Sequence, residues 1–215
     1  MGSNGNDSMT MRIRVTFAKT EPMRFTSHLD LYRAWERMLR RADLPLVFSQ
    51  GYNPRPRLQL ATPLPLGITS RCEIIDFWLS GDSDDLKTIN ARLFQAQPPG
   101  IEVQEVKNVE SGSPPLQKKV NATEYSVALL DRTPNLDRNI KDLLKSETLI
   151  RQRRGKSYDL RPLIKELRID NGSKQIFIRL TAQEGGTGRP EEVLLELDIQ
   201  PENTRIERTG LLFLD

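Results

Sequence analysis

The sequence predicts an α+β fold built from two ferredoxin-like halves, each with the element order βαββαβ and an antiparallel sheet. Two observations predict it. Strand-like and helix-like patterns follow one another in the same order twice, and a Ser/Gly/Pro-rich segment separates the two series. We place the halves at residues 11–109 and 119–215, joined by a linker at 110–118, and interpret residues 1–10 as a disordered arm or a cloning remnant. With 215 residues, the chain can bury a core in each half.

The first half begins with alternating apolar and polar residues at 11–19, which predict a strand. Ser27, with Asp30 three residues later, predicts the start of a helix. Pro45 ends this helix, and the apolar run 46–48 predicts a short buried strand. An extended segment at 58–61, a strand at 73–79, a helix capped by Ser83 and running to about Ala96, and a strand at 101–106 complete the half. The second helix is expected to point Leu86, Ile89, Leu93 and Phe94 inward.

The second half is predicted to repeat this order. Its strands are expected at 123–130, 148–154, 175–180 and 205–213, with one helix at 136–144 and another that begins at Pro190. Proline suits the first helical position, where no amide hydrogen is needed, and Glu191 and Glu192 favour a helix N-terminus. We interpret residues 159–164 as an insertion between strands.

Several classes of protein are excluded by the composition. No apolar run approaches the roughly 20 residues that span a bilayer, and the polar first ten residues do not resemble a signal peptide. The single cysteine, Cys72, rules out an internal disulfide and a cysteine cluster for zinc or iron–sulfur. We therefore expect a cytoplasmic protein with no membrane association, no metal site and no other cofactor.

The basic residues are concentrated although the net charge is only +3. Residues 12–57 carry ten basic side chains against four acidic ones, and residues 151–168 carry seven against two. Local charge sets the field that attracts a polyanion. Most of these basic residues are arginines, whose planar fork suits bidentate phosphate contact. Two solvated basic faces without a ligand remain the alternative.

Residues 48–58 predict a rigid loop that presents basic and aromatic side chains. Gly51 permits unusual backbone angles, while Pro54 and Pro56 fix their own φ and restrict the residues before them. The loop would present Tyr52 for stacking on bases, together with arginines for phosphate contact. The predicted nucleic-acid-binding residues are Arg33, Arg37, Tyr52, Arg55, Arg57, Arg153, Arg154 and Arg161.

His28 is the only histidine and the only weak catalytic candidate. It follows the predicted helix cap, where the helix dipole lowers an imidazole pKa and favours anions. It could therefore act as a general base on a ribose 2′-hydroxyl, or simply reinforce the cap. No motif for a nucleophilic triad accompanies it.

Several motifs resemble the bacterial radical-SAM-linked protein family, over residues 11 to about 211. They are Thr26-Ser27-His28-Leu29-Asp30-Leu31, Glu36-Arg37, Arg40-Arg41, Leu44-Pro45-Leu46, Ser49-Gln50-Gly51-Tyr52-Asn53-Pro54, Pro63-Leu64-Pro65-Leu66-Gly67, Glu73, Asp159-Leu160-Arg161-Pro162, Arg189-Pro190-Glu191-Glu192-Val193-Leu194 and Arg208-Thr209-Gly210-Leu211. The resemblance implies a domain of unknown function, found alone or attached to radical SAM proteins with a cobalamin-binding-like domain. Its stand-alone members tend to be encoded near ribosome-related and ribonuclease genes. It implies no catalytic residue, and this chain lacks the three-cysteine cluster of a radical SAM enzyme.

We expect a non-catalytic module that binds RNA or presents it for modification or processing, with RNA and a radical SAM protein as its partners. Two alternatives remain open at this point. One is a protein-interaction adaptor that docks on a radical SAM enzyme through residues 63–67. The other is a metal-independent endoribonuclease that uses His28.

Overall fold

The computed structural model describes residues 10–81, 85–153, 155–170, 175–183 and 186–214. The predicted arm, apart from Thr10, lies outside these ranges, as do Ser83 and Arg154. The strands are β1 (Thr10–Lys19), β2 (Leu58–Leu60), β3 (Thr69–Ser80), β4 (Ile101–Val109), β5 (Val120–Leu129), β6 (Ile150–Arg153), β7 (Lys156–Asp159), β8 (Ile164–Asp170), β9 (Gln175–Gln183), β10 (Gly186–Thr187) and β11 (Thr204–Phe213). The α-helices are α1 (His28–Arg41), α2 (Leu86–Ala96), α3 (Leu116–Lys119), α4 (Leu136–Lys145) and α5 (Pro190–Glu196), and single 3₁₀ turns occupy Glu21–Met23, Arg161–Leu163 and Pro201–Asn203.

The chain divides into two compact units, and the predicted α+β class with ferredoxin-like, mostly antiparallel sheets is confirmed. Unit 1 comprises Met1–Leu66 and Glu73–Gln117, and unit 2 comprises Gly67–Cys72 and Lys118–Asp215. Unit 2 takes in the start of β3, which the sequence analysis assigned to the first half, because Thr69 and Ser70 pair in parallel with β11.

Unit 1 has the strand order β4–β1–β3–β2, which is the ferredoxin-like arrangement. Strand β1 buries Ile13, Val15 and Phe17 completely, as its alternation predicts. These side chains meet α1 and α2 in one apolar core, where the rings of Phe17 and Trp35 pack edge to face with centroids 4.8 Å apart. Both helices therefore cover the same face of this sheet, and the alternate residues of each strand point to the other face.

Helix α1 begins where the sequence predicts. The side-chain oxygen of Ser27 accepts a hydrogen bond from the Asp30 amide at 3.2 Å, which satisfies a donor that the first helical turn leaves unpaired. Leu31, Trp35 and Met38 recur at helical spacing and are buried. Arg33 and Arg37 lie on the exposed side.

Helix α2 differs from its prediction in its cap and in the face that it buries. The carboxylate of Asp85 accepts the Thr88 amide at 2.7 Å. Ile89, Leu93 and Ala96 face the core, because these three positions follow the 3.6-residue period. Leu86 and Phe94 were predicted to point inward but are exposed: Phe94 lies off this stripe, and Leu86 is the first residue of the helix.

Residues 46–48 also differ from their prediction, since they form two isolated bridges and no named strand. Leu46 pairs with Leu79, and Phe48 pairs with Pro56. Phe48 has 45% of its surface exposed, so the expected buried strand is wrong. The two prolines in the following loop lack the amide hydrogens that a continuous ladder would need.

Unit 2 contains the strand order β8–β9–β5–β11, again the ferredoxin-like arrangement. Its second strand is β8. A strand does form within the predicted residues 148–154, but it is not the second strand of this sheet. Those residues instead contribute β6, which forms a separate two-stranded hairpin with β7. A register irregularity between Ile164 and Glu166 breaks the alternation of β8, and this is why the pattern did not reveal the strand. Among the helices of the described residues, none has both the length and the apolar character needed to cross a bilayer.

Candidate functional site

Helix α1 presents two of the predicted arginines to solvent in unit 1. Arg33 and Arg37 are four residues apart, so they lie one above the other on the helix surface. Arg33 approaches Asp30 at 3.3 Å, and about half of each side chain is exposed. Such an exposed pair is screened by water and salt and is worth little. The guanidinium of Arg33 therefore stays available to an anionic ligand.

The loop after α1 is closed by its own hydrogen bonds. The Ser49 amide donates to the Arg55 carbonyl at 2.8 Å, and the Arg55 amide donates to the Ser49 hydroxyl at 3.1 Å. Gly51 has φ of +130°, a backbone conformation that other residues rarely adopt. Tyr52, at the tip, is fully exposed.

Arg55 brings the loop close to α1. Burial raises the pKa of Tyr32 on α1, the Glu36 carboxylate raises it further, and the Arg55 guanidinium lowers it. The Arg55 charge therefore acts on Tyr32, the residue before Arg33 on α1. We name Arg33, Arg37, Tyr52 and Arg55 the helix–loop surface. It gathers residues from two separate segments of unit 1.

Arg57 belongs to a different surface of unit 1. Its guanidinium lies over the ring of Trp78, 4.2 Å from the centroid, and Arg12 approaches the same ring at 5.3 Å. Ile75, Phe77 and Leu79 pack against the helices, so Trp78 and Asp76 point to the opposite face of the sheet. A cleft of about 510 Å³ lies there. It is lined by Arg12, Arg57, Gln59, Trp78, Gly81 and residues of 108–115, and we name it the sheet cleft.

A buried carboxylate fixes the floor of this region. Asp76 is fully buried and accepts hydrogen bonds from Arg12 at 2.8 Å and from Arg14 at 2.8 and 2.9 Å. Arg12 also donates to the backbone carbonyls of Ser113 at 2.8 Å and Pro114 at 3.2 Å. The segment predicted as a linker is thereby fastened to the first strand of unit 1. The sequence analysis did not predict this site, although Arg12 and Arg14 alternate on β1 as Asp76 and Trp78 do on β3.

The predicted arginines of unit 2 are held by partners inside that unit. Arg153 donates to both carboxylate oxygens of Glu192, at 3.1 and 2.5 Å, and to the Thr187 carbonyl at 3.0 Å. It also donates to the hydroxyl of Tyr158 at 2.9 Å. Burial, followed by the hydrogen bond and charge of Glu192, raises the pKa of Tyr158 to about 12. This cluster fastens the β6–β7 hairpin to α5.

Arg161 is engaged in a similar way. It donates to the Leu144 carbonyl at 2.9 Å, where a cation also suits the C-terminal end of α4. Arg208, which the sequence motifs singled out, is buried beside Tyr125 at 3.2 Å and lines no surface. The role of Arg153, Arg154 and Arg161 in RNA binding thus stays a prediction, with Arg154 outside the described residues.

His28 is the first residue of α1 and is half-buried directly after the Ser27 cap. The position agrees with either role considered for it, since a helix N-terminus favours both a cap and an anion. Its catalytic role stays a prediction.

Comparisons with solved structures return matches of low identity. An unknown protein from Galdieria sulphuraria is 14% identical, with 96% of this chain and 99% of that chain covered, and a TM-score of 0.29. A chain of a Cbf5–Nop10–Gar1 complex is 10% identical over 93% of this chain and 48% of its own length, with a TM-score of 0.45. A protein described as a candidate glycine cleavage system transcriptional repressor is 11% identical over 97% and 99%, with a TM-score of 0.29. We base no functional statement on these matches.

No curated protein matches the chain. One family model matches residues 12–190, which is most of the chain, and is described as an uncharacterized protein conserved in bacteria (DUF2344). The chain therefore belongs to this bacterial family of uncharacterized proteins.

Proposed function

We propose that the protein is a non-catalytic module that binds single-stranded RNA and presents it for modification or processing. The observation that carries the proposal is the helix–loop surface. Arg33, Arg37 and Arg55 are exposed there, and Tyr52, which lies in the same loop as Arg55, has a fully exposed ring. An exposed aromatic ring in a loop that also carries an exposed arginine can stack on an unpaired base.

The chemistry of this surface suits a single strand. Guanidinium groups contact phosphates through paired hydrogen bonds, and an exposed aromatic ring stacks on an unpaired base of any sequence. A duplex would hide its base faces from Tyr52, so the surface favours unpaired nucleotides. Unit 2 contributes less in this proposal, because Arg153 already donates to Glu192 and Arg161 already donates to the Leu144 carbonyl.

The test is a titration of fluorescently labelled single-stranded RNA, followed by anisotropy, with the wild type and a triple variant. Arg33→Gln, Arg37→Gln and Arg55→Gln together remove three charges while keeping long polar side chains. We expect the affinity to fall by at least about tenfold, since each lost phosphate contact weakens binding. A wild-type protein that does not bind RNA would refute the proposal.

A matched control separates local contacts from net charge. Arg132, Arg138 and Arg205 are also exposed but belong to unit 2 and not to the segments that form the helix–loop surface. Their replacement by Gln changes the net charge by the same amount. Affinity that falls equally in both triple variants would show that the protein binds RNA only through its overall charge.

The non-catalytic part of the proposal is tested on the same complexes. We expect the RNA to remain intact during a long incubation with the protein. Cleavage that requires the ribose 2′-hydroxyl and disappears in His28→Ala would replace this proposal with the endoribonuclease alternative.

We also propose that a radical SAM protein is a partner and that the protein works in the cytoplasm. The support is the resemblance of the motifs at 26–31 and 49–54 to the radical-SAM-linked proteins. The test is size-exclusion chromatography of the purified protein with a purified radical SAM protein of the same bacterium, after nuclease treatment. Separate elution of the two proteins at micromolar concentration would refute the partnership.

A further inference from the structure

The sheet cleft contains an arginine whose guanidinium has an aromatic ring on one side. Arg57 lies over Trp78 at 4.2 Å, and Arg57 itself is exposed and lines the cleft. Trp78 is almost completely buried, so the indole is covered and the guanidinium is the planar group that a ligand meets. Among the described residues, no carboxylate lies within ion-pair distance of Arg57. Its charge and the outer side of its plane are therefore available.

The walls of the cleft supply polar groups around that plane. Gln59 lies two residues along the same extended segment, and Ser111, Gly112 and Ser113 border the opening. A volume of about 510 Å³ lies within the range of small-ligand sites. Arg12 and Arg57 line the cleft together with Glu110, and Arg12 shares the carboxylate of Asp76 with Arg14. Three guanidiniums thus face two carboxylates in this region, which leaves an excess of one positive charge. The cleft suits a planar ligand that carries an anionic group.

The cleft is also held in place before any ligand arrives. Arg12 joins Asp76 to the backbone of the 110–115 segment, and the backbone of Arg57 is hydrogen-bonded to Val47 at 2.7 Å and Trp78 at 3.3 Å. A site that is already formed loses less freedom on binding than a mobile loop does. This distinguishes the cleft from the exposed tip at Tyr52.

We propose that the sheet cleft binds one nucleotide, with the base stacked on the outer side of Arg57 and the phosphate near the guanidiniums of Arg57 and Arg12. This inference rests on the proposed function and names a second contact for the same RNA. Arginine planes and sheet-face aromatic residues both stack unpaired bases, and here Trp78 stiffens the arginine from behind. A purely anionic ligand would gain nothing from the stacked arrangement.

The experiment uses the full chain, AMP as the probe and the intrinsic fluorescence of tryptophan. The chain has two tryptophans, and Trp35 is completely buried in the core, so a ligand in the cleft quenches Trp78. We expect AMP to quench the wild type in a saturable manner and ribose 5-phosphate, which lacks the base, to bind at least about tenfold more weakly. Equal binding of the two probes, or no saturable quenching, would overturn the inference.

Two variants of Arg57 separate stacking from charge. Arg57→Lys keeps the charge but loses the plane, and Arg57→Gln loses both. We expect at least about tenfold weaker AMP binding in each, and unchanged binding in Arg138→Gln, which alters an exposed arginine in unit 2. Unchanged binding in Arg57→Lys would overturn the stacking arrangement. A urea midpoint equal to that of the wild type confirms that each variant is folded.

The AMP and RNA measurements test the two proposals separately. RNA binding that depends on the helix–loop surface, with no AMP binding, would refute the cleft and leave the proposed function standing. AMP binding that requires Arg57, in a protein that binds no RNA, would refute the proposed function and support the cleft as a nucleotide site.

Discussion

Asp76→Ala should destabilise unit 1 strongly, because it removes the carboxylate that two arginines share. The carboxylate is fully buried, and Arg12 and Arg14 have only 11% and 15% of their side chains exposed. Removing one partner of such a cluster leaves the other buried charges without a counter-charge and lowers the free energy of unfolding by about 3–5 kcal/mol. Arg12 keeps the Ser113 carbonyl as an acceptor. We therefore expect the lower end of that range, about 3 kcal/mol.

The assay is urea unfolding followed by tryptophan fluorescence, because both tryptophans lie in unit 1. The control is Glu105→Ala, which removes the partner of Lys107 in an ion pair of 3.0 Å whose side chains are about half exposed. That variant should lose less than about 1 kcal/mol. An Asp76→Ala protein with the same free energy of unfolding as this control would refute the reasoning.

Three further predictions address unit 2, the exposed loop and a close backbone approach. Burial raises the pKa of Glu191, so the stability linked to its protonation is present below about pH 4 and is lost as the pH rises through the raised pKa. Glu191→Gln should thus be more stable than the wild type at pH 7 and equally stable near pH 4, as measured by urea titrations followed by circular dichroism. A difference in stability that does not vary with pH would contradict this. Tyr52→Ala should leave the urea midpoint unchanged, since the ring is fully exposed. The same variant should weaken RNA binding by about 1–3 kcal/mol in anisotropy titrations, whereas Tyr52→Phe, which keeps the ring, should bind as the wild type does. Gly100→Ala should lower the free energy of unfolding in urea by more than about 2 kcal/mol, because φ is +95° and the new Cβ would lie 2.5 Å from Cγ of Met23. The control Gly81→Ala, where φ is +75° and the space around the new Cβ is open, should lower it by about 1 kcal/mol. Equal losses of stability in the two variants would contradict the clash with Met23.

Short-range patterns were sufficient to predict much of the fold. Ser27 with Asp30 marked the start of α1, and Pro190 marked α5, because caps and first-turn residues act within a few positions of each other. β8 escaped prediction because a register irregularity interrupts its alternation. The assignment of Gly67–Cys72 to unit 2 depends on pairing with β11, more than 130 residues later in the chain. A local sequence pattern cannot indicate such a distant pairing.

The candidate site was predicted only where exposure follows from local geometry. Tyr52 could be recognised because a glycine and two prolines define a loop around it. The ion pair of Arg153 could not be predicted, because its partner Glu192 lies 39 positions away and reaches it only in the folded unit. The sheet cleft was missed for the same reason, because residues of β1, β3, the 57–59 segment and the 108–115 segment meet there only in the folded unit. Charge counts locate basic segments, but the partners of each arginine decide which remain available.

The dependence of RNA affinity on salt concentration tests the central claim most directly. Each phosphate neutralised on a single strand contributes about −0.7 to the slope of log affinity against log salt concentration. Three arginines on the helix–loop surface therefore predict a wild-type slope steeper by about 2 than that of the triple variant Arg33→Gln, Arg37→Gln and Arg55→Gln. Equal slopes for the two proteins would show that these side chains do not contact phosphates, and would contradict the account.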